Sequence, residues 1–471
     1  MGQEVSHQHF SKAEFAAFAE KLEKETQLLS NKLSAGEFSS QAPVGGFEVE
    51  ACLLDQAACP TPINQAFFDI FNNPLATPEL AKFNIELNNE PLPLNGKVFE
   101  AFEQDLNSVF KDADVAADAL QSRVLLTGIL ATLQPEHCCV ANMSDMKRYH
   151  ALNEQVLKSR NSRSINLDIQ GVEHLKLKHN SVMLEAATTS FQVHLQSPWQ
   201  QAHHYYNASI IASAPVMAMS GNSPYLFGKQ LWHESRIPLF EQAVDTGRKL
   251  HRVSFGSGFA EKSIAECFNE NAQNYPVLLP MIFDKSADRF SHLRLHNGVI
   301  WRWNRPLVGF DSDGTPHIRI EHRIMPAGPT ITDMIANAVF YYGLAQNLME
   351  QLQEQGRFIE FSQAKQNFYQ AAQHGLKAKL NWEGKTLTSQ QLILDILLNK
   401  AELGLQQLGI NHESAQHYLG IIANRVEAVQ TGAVWQIEHV KNTACDMQQL
   451  TQDYLYHQHI GLPVHTWSHK C

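Results

Sequence analysis

Four short segments of the chain alternate apolar and polar residues, and on a strand residues two apart share a face. In 46–51, Glu48 and Glu50 share one face, with Phe47, Val49 and Ala51 on the other. In 83–90, Asn84, Glu86, Asn88 and Glu90 oppose Phe83, Ile85 and Leu87. In 191–196, Gln192, His194 and Gln196 oppose Phe191, Val193 and Leu195, and in 318–324 Arg319, Glu321 and Arg323 oppose Ile318, Ile320, His322 and Ile324. The polar faces carry five carboxylates, one histidine, two arginines and no lysine. A half-solvated antiparallel sheet also turns polar residues outward. Gathered carboxylates, however, repel one another unless a positive charge sits among them. Hard divalent cations take such oxygen ligands, a histidine can join them, and arginine forks bind phosphate or carboxylate. If the four strands share one sheet, the face is either a plain solvated surface or a cradle for Mg²⁺-nucleotide chemistry.

Around these strands the pattern is helical. The spacing of Phe15, Phe18, Leu22, Leu28 and Leu29 predicts a helix over 8–34, followed by a loop over 35–45. Val98, Phe99, Phe102, Leu106, Val109 and Phe110 mark a long amphipathic helix over 96–134. Asn297-Gly298 between two alternating arms predicts a β-hairpin over 292–303. Beyond Pro329 helices are expected at 331–354, 361–378, 389–407 and 412–431, with Thr388 and Gln391 as a capping box. The reading is α+β, with an N-terminal helix and loop (1–45), a sheet-containing catalytic domain (46–340) and a helical C-terminal region (341–471).

Composition narrows the classes. A formal charge of −11 disfavours nucleic-acid and anionic-membrane binding. No apolar run approaches the roughly 20 residues of a membrane span, and the N-terminus lacks a secretory pattern. MGQEVS fits the loose N-myristoylation pattern through Gly2, which reads as coincidence in a chain with no other membrane signal. Seven scattered cysteines without a CxxC pair point to reduced thiols and a cytoplasmic setting. Vicinal Cys138 and Cys139 read as idle thiols, and the C-terminal histidines 457, 459, 465 and 469 as solvated or adventitious metal binders.

GFEVEACLLD resembles the opening strand of the glutamate–cysteine ligase superfamily, and SDMKRYHALN its Arg-Tyr segment. MLEAATTSFQVHLQ resembles a later strand, IIASAPVMAMSGNSPYLFGKQLWHESR the family's N-S-P-x-x-x-G-K block, and HIRIEHRIMPAGPTITD its E-x-R strand. These segments occur in the family's order over roughly 45–340. The resemblance implies a glutamine-synthetase-like fold, a curved and mainly antiparallel sheet with outer helices. It also implies ATP with Mg²⁺ (or Mn²⁺), and glutamate and an amine such as cysteine as small-molecule partners.

Carried over by position, Glu48, Glu50, Glu86, Glu90, His194 and Glu321 are the implied metal set. Arg323 is implied to stabilise the transferring phosphoryl group, and Arg319 or Arg236 to hold a substrate carboxylate. Arg236 could equally pair with Glu234. Asn222, Arg148, Tyr149 and Gln192 are implied in substrate binding, although Asn222-Ser223-Pro224 also suits an ordinary turn. Trp301, Trp303 and Arg305 lie near the expected adenine or substrate side, or simply pack the hairpin. The implied reaction is ATP-dependent ligation of a carboxylate to an amine through an acyl phosphate. A ligase with another acceptor, a non-catalytic ligand-binding relative and an oxygen-ligand metallohydrolase are the alternatives.

Overall fold

The four alternating segments do share one sheet. The computed structural model of the protein describes residues 4–469; Gly2 and Cys471 lie outside that range. A helix, α1 (Lys12–Ala35), precedes strand β1 (Val44–Leu54). Strands β2 (Ala76–Pro78), β3 (Asn84–Asn88) and β4 (Phe191–Ser197) follow, and after a short helix α2 (Ser291–Gly298) come β5 (Asn304–Phe310) and β6 (Pro316–His322). They pair antiparallel in the order β5-β6-β4-β1-β3-β2, with the two-residue strand Leu92–Pro93 and Arg123–Leu125 also on β1. The register sets Glu50 opposite Glu86, Gly46 opposite His194, His194 opposite Glu321 and Glu321 opposite Arg305.

One face of this sheet is an apolar core. Phe47, Val49, Ile85, Val193, Ile318 and Ile320 are buried there. Helix α3 (Ile331–Gln355) packs against it, and it is buried almost all round through its first five turns, as a helix in the middle of a core must be. Its Tyr342 hydroxyl accepts from the Gly46 amide at 3.2 Å and donates to the His194 carbonyl at 2.8 Å. A Cβ on neighbouring Gly45 would stand 2.7 Å from that hydroxyl, so the strand needs glycine there.

The other, polar face is not solvated. Glu86, Gln192, His194 and Glu321 are all buried, which removes the plain half-exposed sheet as a description.

Two expected elements differ. No hairpin forms over 292–303: 291–298 is helix α2, and only Trp301–Arg302 is strand. Buried Glu25 of α1 explains this, because its carboxylate accepts from the backbone amides of His292 (2.8 Å) and Leu293 (2.9 Å) and pairs with the His292 ring at 2.6 Å. That caps a helix N-terminus in trans, and Asn297 is held in the core by Asn271 and the Pro306 carbonyl instead of shaping a turn. The helix expected over 96–134 stops at Asp118, where Ser122 takes the Ala117 carbonyl and Gln121 adopts a positive φ.

The C-terminal helices are present with the Thr388/Gln391 capping box, and the one beginning at Phe361 ends at His374 before left-handed Gly375. The domain boundary expected at 340 falls inside α3. The C-terminal region instead clasps the sheet's loops: Tyr454 donates to the Leu126 carbonyl at 3.0 Å, and Gln458 bonds both the carbonyl and amide of Leu126. Among the described residues no helix is long and apolar enough to cross a membrane.

Candidate active site

Three neighbouring strands bring Glu48, His194 and Glu321 together, with one potential ligand atom from each lying within 4.8 Å of the others. Nε2 of His194 lies 3.1 Å from Glu48 Oε1, while Arg319 Nε donates to His194 Nδ1 at 3.0 Å. Arg319 thus holds the ring through Nδ1, and Nε2 faces Glu48 without a hydrogen bond. Burial pushes the Glu48 carboxyl up, but the His194 interaction outweighs it and holds the group below the usual range. Glu321 is desolvated too, yet Arg305 and Arg323 hold it far below that range. Arg305 grips both its oxygens, at 2.8 and 3.1 Å, and Arg323 adds a bond at 2.9 Å.

A second carboxylate group lies beside the first. Glu50 is pushed up to about 7 by burial, despite Arg323, and by Glu86 opposite it. Glu79 and Glu185 are each pushed up to about 8 by burial and by neighbouring carboxylates. Gln192 bridges the two groups: it donates to Glu50 at 2.9 Å and accepts from Arg323. Arg148 Nη2 donates to Tyr149, whose hydroxyl lies 3.2 Å from Glu79. Glu50, Glu185, Arg236 and Arg323 line a small inner chamber together with Phe240 and Trp303. Next to it an open cleft is lined by Arg148, Arg305 and Arg319 together with Leu293, Leu295, Val299 and Trp301.

Most of the residues singled out in the sequence lie on this face, but three do not fill the roles expected of them. Glu90 lies past the end of β3, exposed, and acts electrostatically on Asp105 of the 98–118 helix; the Asn89 side chain takes the Phe47 amide and ends the strand. Asn222 lines neither cavity. Its amide donates to the Ala327 carbonyl and the Tyr454 hydroxyl, both at 2.8 Å, and its oxygen accepts from Gln436 at 3.0 Å, so it anchors the C-terminal helices. Arg236 reaches the inner chamber but spends its Nη atoms on the carbonyls of 323–325 and on Glu234 at 3.4 Å. Conversely, Glu79 and Glu185 belong to the site and were not placed there by the sequence, while Arg305, expected either near the substrate side or in hairpin packing, pairs with Glu321. Glu79 stands in an irregular segment and Glu185 in a 3₁₀ turn (Val182–Ala187), neither with strand alternation, and the Arg305–Glu321 pairing follows only from strand register.

The sequence model of glutamate–cysteine ligase family 2 matches residues 44–437. The chain belongs to glutamate–cysteine ligase family 2. No curated protein sequence matches it significantly. Among solved structures it is similar to a glutamate–cysteine ligase from Francisella tularensis in complex with AMP, at 11% identity and a TM-score of 0.57, over 92% of this chain and 91% of that one. It is also similar to a bifunctional glutathione synthetase from Pasteurella multocida, at 13% identity and a TM-score of 0.52, over 92% of this chain but 55% of that one. At these identities the similarity is one of fold: a curled antiparallel sheet with helices behind it.

The donor set in this family member fits a divalent cation. Two carboxylates and an imidazole suit Mg²⁺ or Mn²⁺, and Glu48 Oε2 is buried without a hydrogen-bond partner. The carboxylates of the second group raise one another's pKa, so charge from a cation would relieve them.

Proposed function

We propose that this protein is an ATP- and Mg²⁺-dependent glutamate–cysteine ligase. The observation that carries the proposal is the convergence of Glu48, His194 and Glu321 on three adjacent strands of a family member's sheet. A γ-carboxylate oxygen of glutamate would attack the terminal phosphorus of ATP, releasing ADP. The cysteine amine would then attack the acyl carbon, losing a proton and expelling inorganic phosphate. Glu48, His194 and Glu321, with Glu50 and Glu86 nearby, would hold cations whose charge neutralises the phosphates.

The chain's own residues position and neutralise. Arg323, fixed by Gln192 and Glu321 and facing the inner chamber, is assigned to the transferring phosphoryl group. Arg148, paired with Tyr149, is assigned to a substrate carboxylate. The apolar side of the cleft suits adenine, in keeping with the AMP of the Francisella enzyme. Arg319 is kept as the group that orients the His194 ring. The six described cysteines are free, which supports a cytoplasmic setting.

The test is phosphate release from ATP with Mg²⁺ and L-glutamate, with and without L-cysteine, and mass detection of γ-glutamylcysteine. Release that requires both amino acids supports the reading. Release indifferent to cysteine moves the acceptor to another amine, and no ATP turnover with any amine overturns it.

A further inference from the structure

The turn Val182–Ala187 sends its other side chains into the core, and Glu185 alone is half-buried. Ser181 caps the turn by accepting from the Met183 amide at 3.4 Å, and the Glu185 carbonyl accepts from the Thr188 amide (2.9 Å) and hydroxyl (2.7 Å). The backbone is thus fixed from both ends, with the Glu185 side chain turned to the site. Glu50, Glu185 and Arg323 each line both the cleft and the inner chamber. Two of the three are engaged there. Glu50 accepts from the Ser190 amide at 2.7 Å and from Gln192 at 2.9 Å, and Arg323 is held by Gln192 and Glu321. Among the described residues nothing donates a hydrogen bond to the Glu185 carboxylate or forms an ion pair with it.

A carboxylate placed this way costs stability without contributing any. Burial and Glu79 push it up to about 8, against the pull of Arg323 and Arg148. Both of those arginines line the same cleft, so Glu185 is a negative charge flanked by two positive ones. It stands apart from the Glu48, His194 and Glu321 group that suits a metal. An α-amino dicarboxylate carries the complementary pattern, an ammonium flanked by two carboxylates.

We propose that Glu185 binds the α-ammonium group of the donor amino acid, with the α-carboxylate on Arg148 and the side-chain carboxylate toward Arg323. The assignment rests on the ligase reading and deepens it. The attacking amine belongs to the acceptor, so the donor's ammonium keeps its charge throughout, and a carboxylate suits a partner that stays charged. Glutarate, which is glutamate without the amine, leaves Glu185 unpaired beside two further negative charges. Glu185 therefore selects an amino acid over a plain dicarboxylate.

The experiment is calorimetric titration of the full chain with L-glutamate and with glutarate, in Mg²⁺ and ADP, for wild type and Glu185→Gln. Wild type is expected to bind glutamate at least about tenfold tighter than glutarate; in the variant glutamate binding weakens about tenfold or more and glutarate binding does not weaken. The Tm of the variant should be no lower than that of wild type, because no partner is lost. Equal wild-type affinity for the two compounds, no glutamate binding to about 10 mM, or an undiminished preference in the variant overturns the assignment. So does a lower Tm with weakened binding of both compounds, which marks a structural role. A preference that collapses in the variant of a protein releasing no phosphate with any amine overturns the ligase reading and leaves the ammonium anchor standing. Synthesis of γ-glutamylcysteine by a variant that still prefers glutamate overturns the anchor and leaves the ligase standing.

Discussion

Gly46 and His194 face each other across β1 and β4, and the Tyr342 hydroxyl links them, accepting from the Gly46 amide and donating to the His194 carbonyl. A core helix thereby reaches through the sheet to hold the backbone of a candidate ligand. Tyr342→Phe leaves both backbone groups buried without that partner, at a cost of about 1–3 kcal/mol. Thermal unfolding should show a lower Tm and a smaller Mg²⁺-induced stabilisation than wild type.

Glu321 is both a candidate ligand and the counter-charge of Arg305 and Arg323. Glu321→Gln strands two guanidinium groups in a buried site, which costs about 3–5 kcal/mol. Turnover is expected to vanish, and the Tm to fall, while circular dichroism at room temperature still reports a folded chain. Wild-type turnover in that folded variant would sink the cation assignment.

Asn222 gives the opposite pattern. Asn222→Ala removes the partners of Tyr454, the Ala327 carbonyl and Gln436 but touches neither cavity. A stability loss of about 2–3 kcal/mol in urea unfolding is expected, with turnover per folded molecule close to wild type.

His296 sets an acid limit. Burial pushes its pKa down from 6.5 to about 4. Below pH 6.5 the unfolded chain binds a proton that the folded chain refuses until about pH 4. Stability is therefore full above 6.5 and declines between those values, by on the order of 3 kcal/mol. His296→Gln should flatten that decline in Tm measured from pH 7 to 4.5.

The alternation in four segments was enough to read which side chains share a face, because a strand's period is two whatever surrounds it. Register was not readable. It alone sets Glu321 between His194 and Arg305, and its His194 side comes from pairing between segments more than a hundred residues apart. The helix at 291–298 was hidden because its cap, Glu25, lies 267 residues away in sequence while Asn-Gly locally favours a turn. Glu79 and Glu185 were hidden because an irregular segment and a short 3₁₀ turn show no strand alternation, so only burial and proximity reveal them.

The clasp between Tyr454 and the Leu126 carbonyl joins residues 328 positions apart. At roughly 5–20 residues per second on a ribosome, Leu126 waits some tens of seconds for its partner. Throughout that interval the loops at 126, 222 and 327 hold buried-type polar groups without the helices that complete them. Birth of this enzyme is therefore a late, near-simultaneous closure, and a nascent chain cut short before Tyr454 leaves an open interior for chaperones or proteases to find.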